Sequence, residues 1–167
     1  LGDMGQHYID PVQYILGKDN DSPVRVEIDA PQQHPDAVGT WRSITYTYAD
    51  GCQIVLWGGD YGDPDTPYIA GPNGNVYKNF VCDLPNWEKR LADYPDPQPE
   101  VTNFMESVRT RQPFALNETK AFRSATIVNM GGVALRLHRN LDFDPVKLQF
   151  VNDDAANALI DQPERAF

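Results

Sequence analysis

The sequence predicts an α+β fold: an open, mainly antiparallel β-sheet with helices packed on one face. Three observations carry that expectation. The stretches "VRVEIDA" (24–30) and "WRSITYTY" (41–48) alternate apolar with polar residues or are rich in β-branched and aromatic ones, as half-buried strands are. "ADG" at 49–51 supplies a hairpin turn into "CQIVLW" at 52–57. Runs with helical spacing stand near both ends of the chain.

In chain order, Tyr8, Ile9, Val12, Ile15 and Leu16 recur at helical spacing, and Gly17 is a natural C-terminal stop. Pro11 interrupts that pattern. "DPVQ" at 10–13 reads as an N-cap followed by proline at the first helical position, so the stretch is either one kinked helix or a turn leading into a short one. After the polar loop "KDNDSP" come the strands named above, and a second hairpin is expected where "YIAG" and "NVYKNF" flank Pro72-Asn73-Gly74. Together these predict a sheet of about four to six strands. "LPNWEKRLADYPDPQPE" (84–100) reads as a short helix and then a proline-rich extended connector.

A helix over 102–111 is expected to turn Phe104, Met105 and Val108 inward, and a longer one covers 117–139, where Gly131-Gly132 permits close packing. The end offers one or two short strands and a short capped helix. No internal repeat is found, and residues 1–167 read as a single domain.

Of the 167 residues, 41% are hydrophobic, enough for a core of ordinary size. The net charge of -10 repels phosphates and so argues against a nucleic-acid or anionic-membrane partner. The densest basic stretch, Arg136 to Arg139, suits the C-terminal end of the long helix. No apolar run approaches the roughly 20 residues that a membrane span requires. Cys52 and Cys82 lack the paired spacing of a zinc site, and His7, His34 and His138 are scattered, so no metal is expected.

Asp3 and His7 are four apart and share a helix face with Asp10 and Tyr14. A carboxylate beside an imidazole fixes its tautomer, which suits a general acid/base near neutral pH, although the same spacing also describes an exposed helix pair. "QQHPDAVGTW" (32–41) gathers His34, Asp36 and Trp41, a mixture that can read a sugar by hydrogen bonds and stacking. Its plainer reading is a polar loop with Trp41 anchoring the sheet. "GDYGDPDTPY" lacks the ligand spacing of an EF-hand and reads as a solvated loop.

The wording around the Asp3–His7 pair adds to this. "LGDMGQHYIDPVQYILG" resembles the D-x-G-x-H-x-x-D segment that opens the C-terminal domain of the glucose-fructose oxidoreductase, inositol dehydrogenase and MocA (Gfo/Idh/MocA) family. "SPVRVEIDAPQQHPDAVGTW", "GPNG", "VTNFMESVRTRQPFALNETKAFRSATIVNMGGVALRLHRNLDFDP" and "FVNDDAANALIDQPERAF" resemble its bacterial branch in the same order, over essentially the whole chain.

The resemblance implies an open-sheet domain that shapes a sugar-like substrate site, mediates homo-oligomerisation through the sheet, and works with an N-terminal Rossmann domain holding NAD or NADP. It implies that His7 accepts the proton of a substrate hydroxyl, that Asp3 holds histidine and substrate, and that Asp10 serves orientation. The family's Glu-Lys-Pro segment and a G-x-G-x-x-G after a strand are both missing here, the glycines of "WGGDYG" being wrongly spaced. The nucleotide domain is therefore expected to precede Leu1, and the isolated chain to be inactive. Two other functions stay open: a non-catalytic carbohydrate-binding or oligomerisation module, and a glycosidase using Asp3 and Asp10, which lie on one short segment rather than across a cleft.

Overall fold

The computed structural model describes residues 1–34, 37, 39–59, 63, 65–77, 81–94, 104–113 and 117–160. The chain divides into two compact units, Leu1–Tyr61 with Leu116–Phe167, and Gly62–Ala115.

The larger unit contains α1 (Met4–Ile15), β1 (Arg25–Asp29), β2 (Ser43–Thr47) and β3 (Gln53–Trp57). The smaller holds β4 (Ile69–Gly71), β5 (Gly74–Val76), α2 (Trp87–Ala92) and α3 (Phe104–Thr110). The chain then returns to the larger unit as α4 (Glu118–Leu137), β6 (Leu141–Asp144), β7 (Gln149–Phe150) and α5 (Asp154–Asn157).

The sheet of the larger unit runs β3-β2-β1-β6-β7, antiparallel throughout. Its register pairs Glu27 with Thr45 and Thr45 with Val55, which sends Val26, Ile44, Tyr46 and Ile54 to one face. Those four are buried with Leu141, Phe143 and Phe150. α4 packs on β1 and α1 packs on α4, so the core closes with Ile127, Met130, Ala134 and Leu135 from α4 and Ile9 from α1. On the opposite face Arg25 donates to Asp142 (2.7 Å) and Glu27 (3.2 Å), while Val55 and Trp57 stand exposed.

α1 is continuous from Met4, with Pro11 inside it, so of the two alternatives the single helix is the one formed and Asp10 is not an N-cap. Pro11 has no N–H for the carbonyl of His7 four residues earlier, and a helix-interior proline costs about 3 kcal/mol. Burial outweighs that cost: Ile9 is fully enclosed, and buried Gln13 donates to the Tyr48 hydroxyl (3.2 Å) and the Lys18 carbonyl (3.3 Å). The helix ends as its glycine requires. Gly17 has φ +65°, its N–H bonds the Tyr14 carbonyl and that of Lys18 the Gln13 carbonyl, a Schellman closure.

α4 starts where Asn117 accepts hydrogen bonds from the amides of Thr119 (3.1 Å) and Lys120 (3.3 Å). It closes with His138 in the left-handed region at φ 50°. Of its two glycines only Gly131 is a packing device. A Cβ there would overlap the Tyr46 hydroxyl and lie 3.1 Å from Leu1, whereas one on Gly132 meets open space.

In the smaller unit β4 and β5 form the expected hairpin, but as a two-stranded sheet of their own and not as part of the larger one. α3 likewise corrects an expectation. Phe104 and Met105 are largely exposed, Val108 is 42% exposed, and no residue of α3 is buried. Cys52 and Cys82 are half-buried free thiols.

Candidate functional site

α1 carries two faces. Ile9 and Gln13 point into the core, and His7 is exposed on the opposite side, where with Gln6, Asp10 and Pro11 it forms one wall of a groove of about 330 Å³. The other wall is the first turn of α4: Asn117, Lys120 and Ala121. The positive end of the α4 dipole therefore borders the groove. Lys120 pairs with Asp19 at 2.6 Å and lies over the Tyr14 ring, 5.8 Å from its centroid, which fixes the ammonium at the groove's edge.

Asp10 is half-buried, and its Oδ1 accepts a hydrogen bond from the Ser124 hydroxyl of α4. Ser124 is itself 1% exposed, so this bond lies at the α1–α4 contact. Asp3 stands at the α1 N-cap position, exposed, without a side-chain cap bond. Among the described residues no hydrogen bond joins Asp3 to His7, and Asp3 is not part of the groove wall. An imidazole, a carboxylate, an amide and an ammonium on one groove supply both donors and acceptors, a set that suits a polyhydroxylated ligand.

The described residues of the loop between β1 and β2 do not line this groove. His34 is exposed, and its carbonyl accepts from Ala37 at 3.2 Å. Trp41 is half-buried against the core, its indole N–H enclosed, in keeping with an anchor of the sheet. Neither residue lines the His7 groove, and Asp36 lies outside the described residues.

Sequence reasoning missed the residue that shapes this loop. Buried Gln33 donates to the carbonyls of Pro31 (2.6 Å) and Thr40 (3.1 Å) and accepts from the Gly39 amide (2.5 Å). It also missed Lys120, Asn117 and Ser124. The sequence shows a polar residue before the long helix and a lone serine within it, but not that either would meet α1. A larger groove of about 590 Å³ on α4 is lined mainly by apolar side chains such as Phe122, Met130, Phe143 and Phe150, with Arg136 its ionisable member.

Comparison with curated proteins and with solved structures gives no match. The family model described as "Oxidoreductase family, C-terminal alpha/beta domain" matches residues 1–167. The five-stranded antiparallel sheet with helices against it agrees with that description. The chain belongs to the Gfo/Idh/MocA oxidoreductase family, of which it is a C-terminal domain.

Proposed function

We propose that this chain is the substrate-binding and catalytic half of an NAD(P)-dependent oxidoreductase that transfers hydride between a nicotinamide cofactor and a sugar, cyclitol or related polyol derivative. The observation that carries the reading is His7 on a polar groove shared with Asp10 and Lys120, in a member of an oxidoreductase family. In this reading His7 takes the proton of the substrate hydroxyl as the carbon bearing it is oxidised. Asp3, one helical turn before His7, orients the imidazole once substrate fills the groove. Asp10 and Lys120 hold neighbouring hydroxyls.

The described residues of this chain do not fit a dinucleotide. Gly58 and Gly59 follow the edge strand β3, the Gly58 amide continues the ladder to the Arg42 carbonyl at 2.9 Å, and the next element among the described residues is a strand, not the helix that a glycine-rich turn would have to open to meet a pyrophosphate. In this reading NAD or NADP is held by a separate N-terminal Rossmann domain, and the isolated chain is expected to be inactive. One observation favours the non-catalytic alternative, a carbohydrate-binding or oligomerisation module: the missing hydrogen bond between Asp3 and His7.

The experiment that decides is His7→Ala in the oxidoreductase carrying this domain. Turnover on polyols should fall roughly 10²–10⁴-fold with nicotinamide affinity retained. Unchanged turnover would leave the binding module as the better account.

A further inference from the structure

Asp10 is an acceptor with two oxygens and one described partner. Oδ1 is taken by the Ser124 hydroxyl, and among the described residues Oδ2 has neither a hydrogen-bond nor an ionic partner. Ser124 sits on the core side of α4 at 1% exposure, amid Ile127, Val128 and Gly131, where a hydroxyl without an acceptor would be costly. Its one proton is thus committed to Asp10.

The bond also spans two elements. Asp10 rides on α1 one turn after His7, and Ser124 is one turn into α4 from Lys120, so a single hydrogen bond ties together the two walls of the groove. Nearby backbone gives α1 less hold than usual, because Pro11 offers no N–H to the His7 carbonyl.

We propose that Ser124 is a positioning residue for this site: by binding Oδ1 it fixes the Asp10 carboxylate and leaves Oδ2 as the acceptor for a substrate hydroxyl beside His7. This rests on the reading of the groove as a polyol site. A substrate hydroxyl donated to Oδ2 would leave that hydroxyl's oxygen free to accept from a neighbouring donor, and the adjacent hydroxyl would fall to His7. Specificity for a vicinal pair of hydroxyls follows from an acceptor and an imidazole three positions apart on one helix face.

The test uses the oxidoreductase carrying this domain, with myo-inositol and a set of monohydroxy and vicinal-diol analogues as probes. Ser124→Ala should lower kcat/KM for the vicinal diols roughly 10- to 100-fold, leave the KM for nicotinamide unchanged, and erase the preference over monohydroxy analogues. Ser124→Thr, which keeps the hydroxyl, should restore the preference. A purely structural serine would instead reduce the folded fraction and affect all substrates alike. Wild-type kcat/KM and wild-type preference in Ser124→Ala would overturn the proposal.

A second measurement separates this failure from that of the functional reading. In the oxidoreductase carrying this domain, thermal midpoints of Ser124→Ala, Asp10→Ala and the double variant should be non-additive. Additivity overturns the tie itself, whereas full turnover in His7→Ala overturns the proton-acceptor reading.

Discussion

Two adjacent glycines in α4 should respond to alanine with opposite sign. At Gly131 the new methyl would overlap the Tyr46 hydroxyl and lie 3.3 Å from the ring carbon that bears it. The hydroxyl is the far end of its side chain, but Tyr46 is fully buried and cannot swing aside without moving the core. Overpacking of this kind costs about 1–3 kcal/mol, and the enclosed ring places this site toward the upper end. Alanine returns about 1 kcal/mol of helix propensity, leaving a net loss of roughly 1–2 kcal/mol.

At Gly132 a Cβ meets nothing within 4 Å, so the propensity gain of up to about 1 kcal/mol stands alone. For a chain of this size 1 kcal/mol moves the melting midpoint by about 2–4 °C. Gly131→Ala should therefore melt several degrees below wild type and Gly132→Ala a few degrees above it, read by circular dichroism and by urea titration.

The Tyr46 hydroxyl has no hydrogen-bond partner among the described residues, so Tyr46→Phe removes the obstacle without breaking a bond. It should reduce the cost of Gly131→Ala in a double-mutant cycle. Equal stability of the two alanine variants, or an undiminished cost in the Tyr46→Phe background, would refute the reasoning.

Three further predictions concern other parts of the molecule. Burial pushes the Tyr48 hydroxyl up to about 12 and raises Tyr46 as well. The unfolded chain releases the phenolic proton near pH 10 while folded Tyr48 keeps it, so the unfolded state binds fewer protons and stability falls between pH 10 and 12. Tyr48 alone accounts for roughly 2–3 kcal/mol of that loss; urea midpoints at pH 8, 10 and 11 should decline, and no decline would contradict the enclosed hydroxyl. Asn117→Ala should cost about 1 kcal/mol by uncapping α4, measured as a lower thermal midpoint, with an unchanged midpoint counting against the cap. The outward sheet face, with Val55 and Trp57 exposed, is the proposed homo-oligomer surface: light scattering should give a multiple of the chain mass that Trp57→Lys reduces, and a monomeric wild-type mass would remove this reading.

Local signals in the sequence carried most of the larger unit. Alternation placed β1, β-branched and aromatic residues placed β2, "ADG" placed the turn into β3, and helical spacing placed the long helix. What stayed open or failed required knowledge of the surroundings. "DPVQ" has the chemistry of a helix start, but the burial of Ile9 and Gln13 against α4 decides that the helix runs through Pro11. The apolar spacing in α3 identifies a face of Phe104, Met105 and Val108 without saying whether anything covers it. Turn residues fixed the β4–β5 hairpin but not which edge it would join, because register beyond a hairpin depends on distant strands.

In the site, spacing brought out His7 and Asp10, since both lie on one helix. Ser124 and Lys120 arrive from more than a hundred residues away, and no local pattern announces which residue of α4 will face Asp10. The loop residues His34 and Trp41 shared a composition suited to sugars, and composition does not specify position.

The central place of β1 bears on how the molecule folds and how its sequence can change. The β1–β2–β3 meander can assemble from neighbours on the microsecond scale, but the other edge of β1 waits for β6, where Arg25 meets Asp142 across a separation of 117 residues. That late closure should set the folding rate. Once closed, it is insensitive to the length of what lies between, because doubling a loop costs only about 0.6 kcal/mol. In closure entropy alone, the span from β3 to α4 is therefore where this fold can gain residues at little cost, and chains cut there are the natural pair for reassembly from two separately expressed pieces.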